Sequence, residues 1–369
     1  MIIRTITCHH AFNHGAMLQA YALLAYLQSL GHDATVIDYR PDYMPRLQMN
    51  FDWVPPKYDF WFIRQLYRRV KLPFLQQEQE RRHALEKFFK KHIKITDTEY
   101  NAIEELRQNP PVADLYIAGS DQIWNTSFRN GQDSAFYLDF GIPKRRISYA
   151  ASFATPQLAA GCEDFVKQKL SRFDAISVRE TSGKKILETL GYEGVVVVDP
   201  VFLLLREQWD TMGTSDCEQE RYILTYDFER GGNPIAQVAM RLAKRGECKI
   251  YSVSPYRRQY AHRNFVNVGP DKFVSLVKHA QCVVSNSFHG SAFAIIYGKN
   301  FLVVNRKDGL NVRMQDLLAR YGLSHRLITP DAQDRLLMQD IYYAPVYERL
   351  EQDIEFSKSF LQNQIELTK

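Results

Sequence analysis

Ile2-Ile3-Arg4-Thr5-Ile6-Thr7, followed after a short polar break by Asn13-His14-Gly15-Ala16-Met17-Leu18-Gln19-Ala20-Tyr21-Ala22-Leu23, is the stretch that decides the fold. The first run predicts a strand. The second predicts a strongly apolar helix that Gly31 stops, and Ala34–Asp38 predicts the next strand. The unit is therefore β-loop-α-β. A small residue at the turn, Gly15, would let backbone N–H groups and the helix N-terminus face a bound anion. The loop is not G-x-G-x-x-G, and no acid stands where a dinucleotide ribose would want one. A phosphate or carboxylate site is expected, rather than a nicotinamide cofactor.

Working outward, Val112–Ile117 reads as a buried strand, and Ala118-Gly119-Ser120-Asp121-Gln122-Ile123-Trp124-Asn125 follows it. Ligands of open α/β sheets sit beyond the carboxyl ends of strands. Ser120, Asp121, Gln122 and Asn125 offer donors and acceptors there, and Trp124 offers a flat apolar face, so the cluster suits a sugar or an anionic metabolite. The same residues also suit a capped strand-to-helix turn, with Asp121 as the cap and Trp124 in the core.

Residues 51–109 read as a helical insertion, with helical spacing through Ile63, Leu66, Tyr67 and Val70 and again through Leu85, Phe88 and Phe89. Strands are expected at Ile147–Ala151, Ala175–Val178 and Val195–Val198, with a helix over Thr181–Leu190. After a polar break at Thr211–Glu220 a second alternating set begins. Its strands are Tyr222–Tyr226, Lys249–Val253, Cys282–Ser285 and Phe301–Val304, and its helices Pro234–Arg245, Asp271–Ala280 and Ser291–Tyr297. Two successive β/α sets predict two Rossmann-like domains facing across a cleft. The expected boundaries are 1–210, 211–345 and a C-terminal helix over 346–369, with Tyr347–Ile365 amphipathic.

With 45% apolar and 24% charged residues, the chain of 369 is an ordered globular protein long enough for two cores. No apolar run is long enough to span a bilayer, and the start lacks signal-peptide architecture. Cys8, Cys162, Cys217, Cys248 and Cys282 include no C-x-x-C pair, which suits reduced thiols and a cytoplasmic location. Residues 57–94 hold eleven Lys/Arg against four Asp/Glu, beside Phe51, Trp53, Tyr58, Phe60, Trp61, Phe62, Tyr67 and Phe74. Cations mixed with large aromatics suit the surface of an anionic membrane, and a solvated helical face explains them as well. No nucleic-acid module is readable, so no such partner is expected.

Five motifs occur in order: Asn13-x-Gly15-Ala16-x-x-Gln19-Ala20-Tyr21-Ala22-Leu23, Gly119-Ser120-Asp121-Gln122-x-Trp124-Asn125, Ser177-x-Arg179-Glu180, Asp199-Pro200 and Ser287-Phe288-His289-Gly290. Together they resemble the polysaccharide pyruvyl transferase family, over residues 13 to about 313. The resemblance implies the GT-B layout and transfer of pyruvate from phosphoenolpyruvate to a sugar. The sugar would belong to a surface polysaccharide, exopolysaccharide or capsule, or to its lipid-linked precursor. It also implies that His289 is catalytic. Arg179, whose planar fork fits carboxylate or phosphate, is expected to share in catalysis and to bind the donor with Asn13, Gly15, Gln19, Ser287, His289, Gly290, Arg306 and Arg313. Ser120, Asp121, Gln122, Trp124 and Asn125 are expected to meet the acceptor, Asp121 as base or orienting group and Trp124 as stacking platform. Many members of the family carry arginine two residues before the histidine. This chain has Ser287 there, so Arg306, Lys307 or Arg313 is expected to supply the charge. Phosphoenolpyruvate is a substrate; no cofactor or metal is expected, since no ligand motif such as H-E-x-x-H is present.

Two other classes fit the same layout. A nucleotide-sugar glycosyltransferase would want a carboxylate for the ribose near His289, and the nearest acid in sequence is Asp308. A non-catalytic glycan- or anion-binding protein would have His289 and Arg179 turned from the cleft.

Overall fold

Short apolar runs, many of them β-branched, form the strands, and each parallel pairing buries them on both faces. The computed structural model describes residues 1–11, 13–44, 61–213, 220–228, 234–305, 312–333, 337 and 339–369, with backbone alone for 61–68 and 70–73. The first sheet holds β1 (Ile2–Ile6), β2 (Asp33–Tyr39), β3 (Ile95–Tyr100), β4 (Leu115–Ala118) and β5 (Arg145–Ser148) in the order β3-β2-β1-β4-β5. Two short strands, β6 (Ser177–Val178) and β7 (Val195–Val196), extend beyond its β5 edge through bridges such as Ala151 to Val178. The second sheet holds β8 (Tyr222–Tyr226), β9 (Lys249–Val253), β10 (Arg263–Phe265), β11 (Cys282–Ser285), β12 (Asn300–Val304) and β13 (Leu327–Ile328), ordered β10-β9-β8-β11-β12-β13. Every pairing is parallel. These are two Rossmann-like domains, each reversing its strand order at its centre. The crevices beyond β1/β4 and β8/β11 are the places such sheets offer to ligands.

The helix His14–Ser29 follows β1 and is buried on nearly every side, which explains its apolar composition. One side lies on the first sheet. Its N-terminal end meets the second domain: His14 Nε2 is 2.9 Å from the Val268 carbonyl, and the Tyr226 hydroxyl is 3.3 Å from His14 Nδ1. The ring also stacks on Phe273. The helix Ala344–Glu366 bridges both halves, with the Ser357 hydroxyl accepting from Val198 N and the Tyr347 hydroxyl donating to the Ile295 carbonyl.

Residues 51–109 are not wholly helical. One long helix, Trp61–His92, is followed by β3, the edge strand of the first sheet, and then by a short helix, Ile103–Gln108. Asp97, Thr98 and Glu99 of β3 are exposed, so no apolar alternation announced the strand. The aromatics Phe51, Trp53, Tyr58 and Phe60 lie outside the described residues; Phe74 is exposed. Strands β10 and β13, only three and two residues long, were also not expected. Among the described residues no helix is long and apolar enough to cross a membrane.

Burial lowers the pKa of His14 to about 4, against the opposing pull of the Val268 carbonyl. A folded-state value below the usual 6.5 means the neutral ring stabilises the fold above about pH 6.5, and that contribution drains away as pH falls toward 4. Urea unfolding at pH 7 and pH 5 should therefore show an acid loss that is smaller, by about 2 kcal/mol, in His14→Phe than in the parent chain.

Candidate active site

The sequence Val197-Val198-Asp199-Pro200 carries the chain out of β7 and turns it sharply. Proline at the first helical position and an aspartate ahead of it start a short 3-10 turn, Pro200–Phe202, which Asp199 caps through its Oδ1 and Val201 N. The other oxygen, Oδ2, points into the protein. It lies 2.6 Å from Arg179 Nη1, accepts from the Ser120 hydroxyl at 3.2 Å and lies 3.8 Å from His289 Nε2. Asp199 is 1% exposed and Arg179 6%. Burial would raise the Asp199 carboxyl, but Arg179 and His289 outweigh it and hold the group below its ordinary range. Burial likewise opposes the charge on Arg179, and Asp199, Glu180 and Asp121 more than restore it. Removing one partner of such a buried pair costs roughly 3–5 kcal/mol, because the other is left charged and alone.

Arg179 leaves β6 and lays its guanidinium over the Phe288 ring, 4.4 Å from the centroid. Its Nε and Nη2 are buried without hydrogen-bond partners, at 3.7 Å from Glu180 Oε2 and 3.9 Å from Asp121 Oδ1. Glu180 Oε1 accepts from the Ser152 hydroxyl and Ala154 N, while its Oε2, facing Arg179, is likewise buried without a hydrogen-bond partner. Arg313, at the start of the helix Val312–Arg320, brings Nη1 to 3.9 Å from the same Asp121 oxygen. Arg179, Glu180, Asp199, Phe288, Arg313 and Asp316 are among the residues lining one crevice of about 390 Å³, counted to its open mouth.

The histidine arrives from the other domain. The helix Phe288–Ile296 begins earlier than the sequence suggests, so His289 sits in its first turn rather than before it. Its imidazole packs against Gly15: a Cβ there would lie 2.0 Å from His289 Nδ1. His289 Nε2 is buried without a hydrogen-bond partner. Burial lowers its pKa, with Asp199 and Asp121 opposing and Arg179 and Arg313 adding to the effect. The resting ring is therefore held toward its neutral form.

Several expected ligand contacts are corrected. Trp124 is fully buried: its indole N–H donates to the Phe136 carbonyl, and its rings lie on Tyr137, Phe153 and Phe173, so it is core and not a platform. Asn125 is fully buried in its own turn, donating to Gln122 Oε1 and accepting from Ser127 N. Ser120 belongs to the Asp199 network. Gln19 is sealed between its helix and β1, donating to the Thr7 hydroxyl and the Ala16 carbonyl. Asn13 caps the first helix through Gly15 N, and the space Gly15 leaves is filled by His289, not by an anion. Gly290 gives room to Ser285 and Tyr226 rather than to a ligand. Ser287 precedes the helix without a side-chain cap bond. Asp121 and Gln122 remain half-buried, Asp121 in the left-handed region at φ 75°. Arg306 and Lys307 lie outside the described residues. Asp199 and Phe288 were missed as site residues; the Asp-Pro step was visible, but nothing local says which side chains meet the aspartate.

A family model described as polysaccharide pyruvyl transferase matches residues 13–308. Comparison with curated proteins finds no match in sequence. Among solved structures, the chain is similar to Arabidopsis thaliana UGT89C1 complexed with UDP-L-rhamnose, at 11% identity and a TM-score of 0.53, covering 100% of this chain and 98% of that one. It is also similar to the N-terminal domain of Candida albicans trehalose-6-phosphate phosphatase, at 8% identity and a TM-score of 0.50, covering 99% and 96%. At such identities these likenesses bear on the fold alone, and they agree with the GT-B layout.

The buried pair makes a thermodynamic prediction. Arg179→Met and Asp199→Asn should each lower the unfolding free energy by roughly 3–5 kcal/mol. The double variant should cost less than the two losses added together, because neither charge is then stranded. Strict additivity in chemical denaturation would contradict the geometry.

Proposed function

The chain belongs to the polysaccharide pyruvyl transferase family, and from that premise we propose that it transfers pyruvate from phosphoenolpyruvate to two hydroxyls of one sugar, forming a ketal and releasing phosphate. The observation that carries the reading is the pair of buried Arg179 nitrogens without hydrogen-bond partners, on a crevice that Asp199 also lines, with His289 Nε2 3.8 Å from the Asp199 oxygen that holds Arg179. A guanidinium fork with two N–H-bearing atoms to spare suits a small ligand that carries both carboxylate and phosphate. Arg313 stands on the same crevice, and Arg313, or Arg306 or Lys307 shortly before it in sequence, supplies the charge of the arginine that Ser287 replaces.

Chemistry then follows from charge. His289 rests near neutrality, and a polyanionic donor beside it favours the protonated ring. The imidazolium protonates C3 of the enol, which becomes the methyl group, while positive charge develops at C2. The first sugar hydroxyl adds to C2. The C2–O bond to phosphate breaks, and the second hydroxyl closes the ketal. Of the two hydroxyl protons, one restores His289 and the other leaves with phosphate, so the sum balances. Asp121 and Gln122 face the acceptor, with Asp121 orienting a hydroxyl or taking its proton. Arg179, held by Asp199, provides charge that need not reorganise as the transition state forms.

Incubating the protein with phosphoenolpyruvate and candidate glycosides while following phosphate release tests this. His289→Ala should lower kcat by roughly 10² or more with the fold intact. Gly15→Ala should remain helical yet lose turnover, because its methyl must push the imidazole aside. A nucleotide-sugar that raises the melting temperature where phosphoenolpyruvate does not would favour a glycosyltransferase instead.

A lipid-linked acceptor would be met at the cytoplasmic face of the cell membrane, and the basic, aromatic-rich stretch Phe51–Lys94 suits peripheral attachment there. The protein should co-sediment with anionic vesicles, less so at high salt. Neutralising Arg64, Arg68, Arg69 and Lys71 should weaken that binding while turnover of a soluble acceptor is kept.

A further inference from the structure

A second cluster of chemistry-bearing side chains lies at the carboxyl ends of β1 and β2, apart from Arg179 and His289. His9 and His10 follow β1, and Asp38 lies near the end of β2. All three are buried, and one ligating atom from each lies within 4.8 Å of the others. His9 Nε2 is 3.1 Å and His10 Nε2 3.3 Å from the same oxygen, Asp38 Oδ1. Donor atoms bound to one tetrahedral metal ion at 2.0–2.2 Å stand about 3.3–3.5 Å apart, so the spacing is close to that of a ligand set.

His9 Nδ1 lies 3.1 Å from the Thr7 carbonyl, and a carbonyl oxygen can only accept, so Nδ1 carries the hydrogen. In the neutral ring, Nε2 then turns a bare lone pair toward a carboxylate oxygen 3.1 Å away. Two lone pairs do not meet at that distance in a buried place without a cation between them. His10 Nε2 faces the same oxygen, buried and without a hydrogen bond of good geometry. Phe89 lies on both rings, stacked on His9 at 5.6 Å and tilted over His10 at 5.0 Å, which fixes their planes. Arg40 grips Asp38 through both oxygens and is itself paired with Glu99. Moved to Oδ2 alone, that fork is the kind of outer partner that orients a ligating carboxylate.

We propose that His9, His10 and Asp38 bind a divalent transition-metal ion of the zinc class through the two Nε2 atoms and Asp38 Oδ1. The ion clips the loop after β1 to the end of β2. That loop starts at Thr7, whose hydroxyl donates to the Ser120 carbonyl, so the clip braces the strand end that carries Asp121.

The test uses the full chain, stripped with chelator and titrated with Co²⁺ and then Zn²⁺. The expected result is one equivalent bound, visible d–d absorption from Co²⁺ that Zn²⁺ abolishes, and a higher melting temperature. His10→Ala and Asp38→Asn should both lose the absorption. If Asp38→Asn fails to fold because Arg40 loses its partner, His10→Ala decides alone. No absorption and no thermal shift, or absorption that persists in His10→Ala, overturns the proposal. So does an NMR spectrum of the metal-treated protein in which both His9 ring nitrogens carry protons, since a proton then fills the gap.

Discussion

A charged pair taken fully out of water, Arg179 with Asp199, is the constraint around which the site is arranged. Either charge left alone there would be costly, so each fixes the other's position. Asp199 reaches Arg179 because Pro200 turns the chain sharply, and Arg179 reaches Asp199 because β6 ends beside β5. The Ser120 hydroxyl, from the end of β4, takes the remaining place on the carboxylate. Three strand ends of the first domain thus converge on one oxygen. The guanidinium is used on one nitrogen only, and its other two atoms are carried, stacked on Phe288, to the edge of a crevice.

The second domain is held to this arrangement in part by a small residue and by histidines that burial keeps toward their neutral form. His14 is satisfied on both ring nitrogens only when uncharged, accepting from Tyr226 and donating to Val268. One residue on, Gly15 leaves the space in which the His289 ring lies. The helix His14–Ser29 is therefore less an anion site than a spacer that sets how near His289 comes to Asp199. The approach is close enough for charge to be felt, at 3.8 Å, yet without a direct hydrogen bond. A histidine so placed would gain a proton more readily beside any polyanion.

Backbone strain at the site falls on Asp121, in the left-handed region between a strand and its bridge to Ala151. A non-glycine residue held there costs on the order of 1–3 kcal/mol, sustained by the surrounding bonds. Its carboxylate stands between Arg179 and Arg313, one from each domain. The acid that the sequence assigned to the sugar thus lies 3.9 Å from each of the two arginines, both of which line the crevice.

Much of the fold was written in the sequence, because alternation of short β-branched runs with apolar helices is a local property. The helix Thr181–Leu190 and the strands β8, β9 and β11 fall where their composition puts them, whereas β3 was hidden by its polar, solvent-facing side chains. Local chemistry also singled out Arg179 and Asp121 as reactive types near strand ends, and the resemblance of the motifs added His289. It could not tell that Trp124 and Asn125 are enclosed, since a tryptophan reads the same whether it faces ligand or core. Nor could it join Asp199 to Arg179, Gly15 to His289, or His9 and His10 to Asp38. Those meetings depend on strand order and on the approach of two domains, and contacts between residues distant in sequence leave no trace in local periodicity. The sequence by itself determined which elements form and which reactive side chains are available. Only the tertiary structure decided which of them share a buried oxygen, because burial and distance, not residue type, set whether a charge is paired.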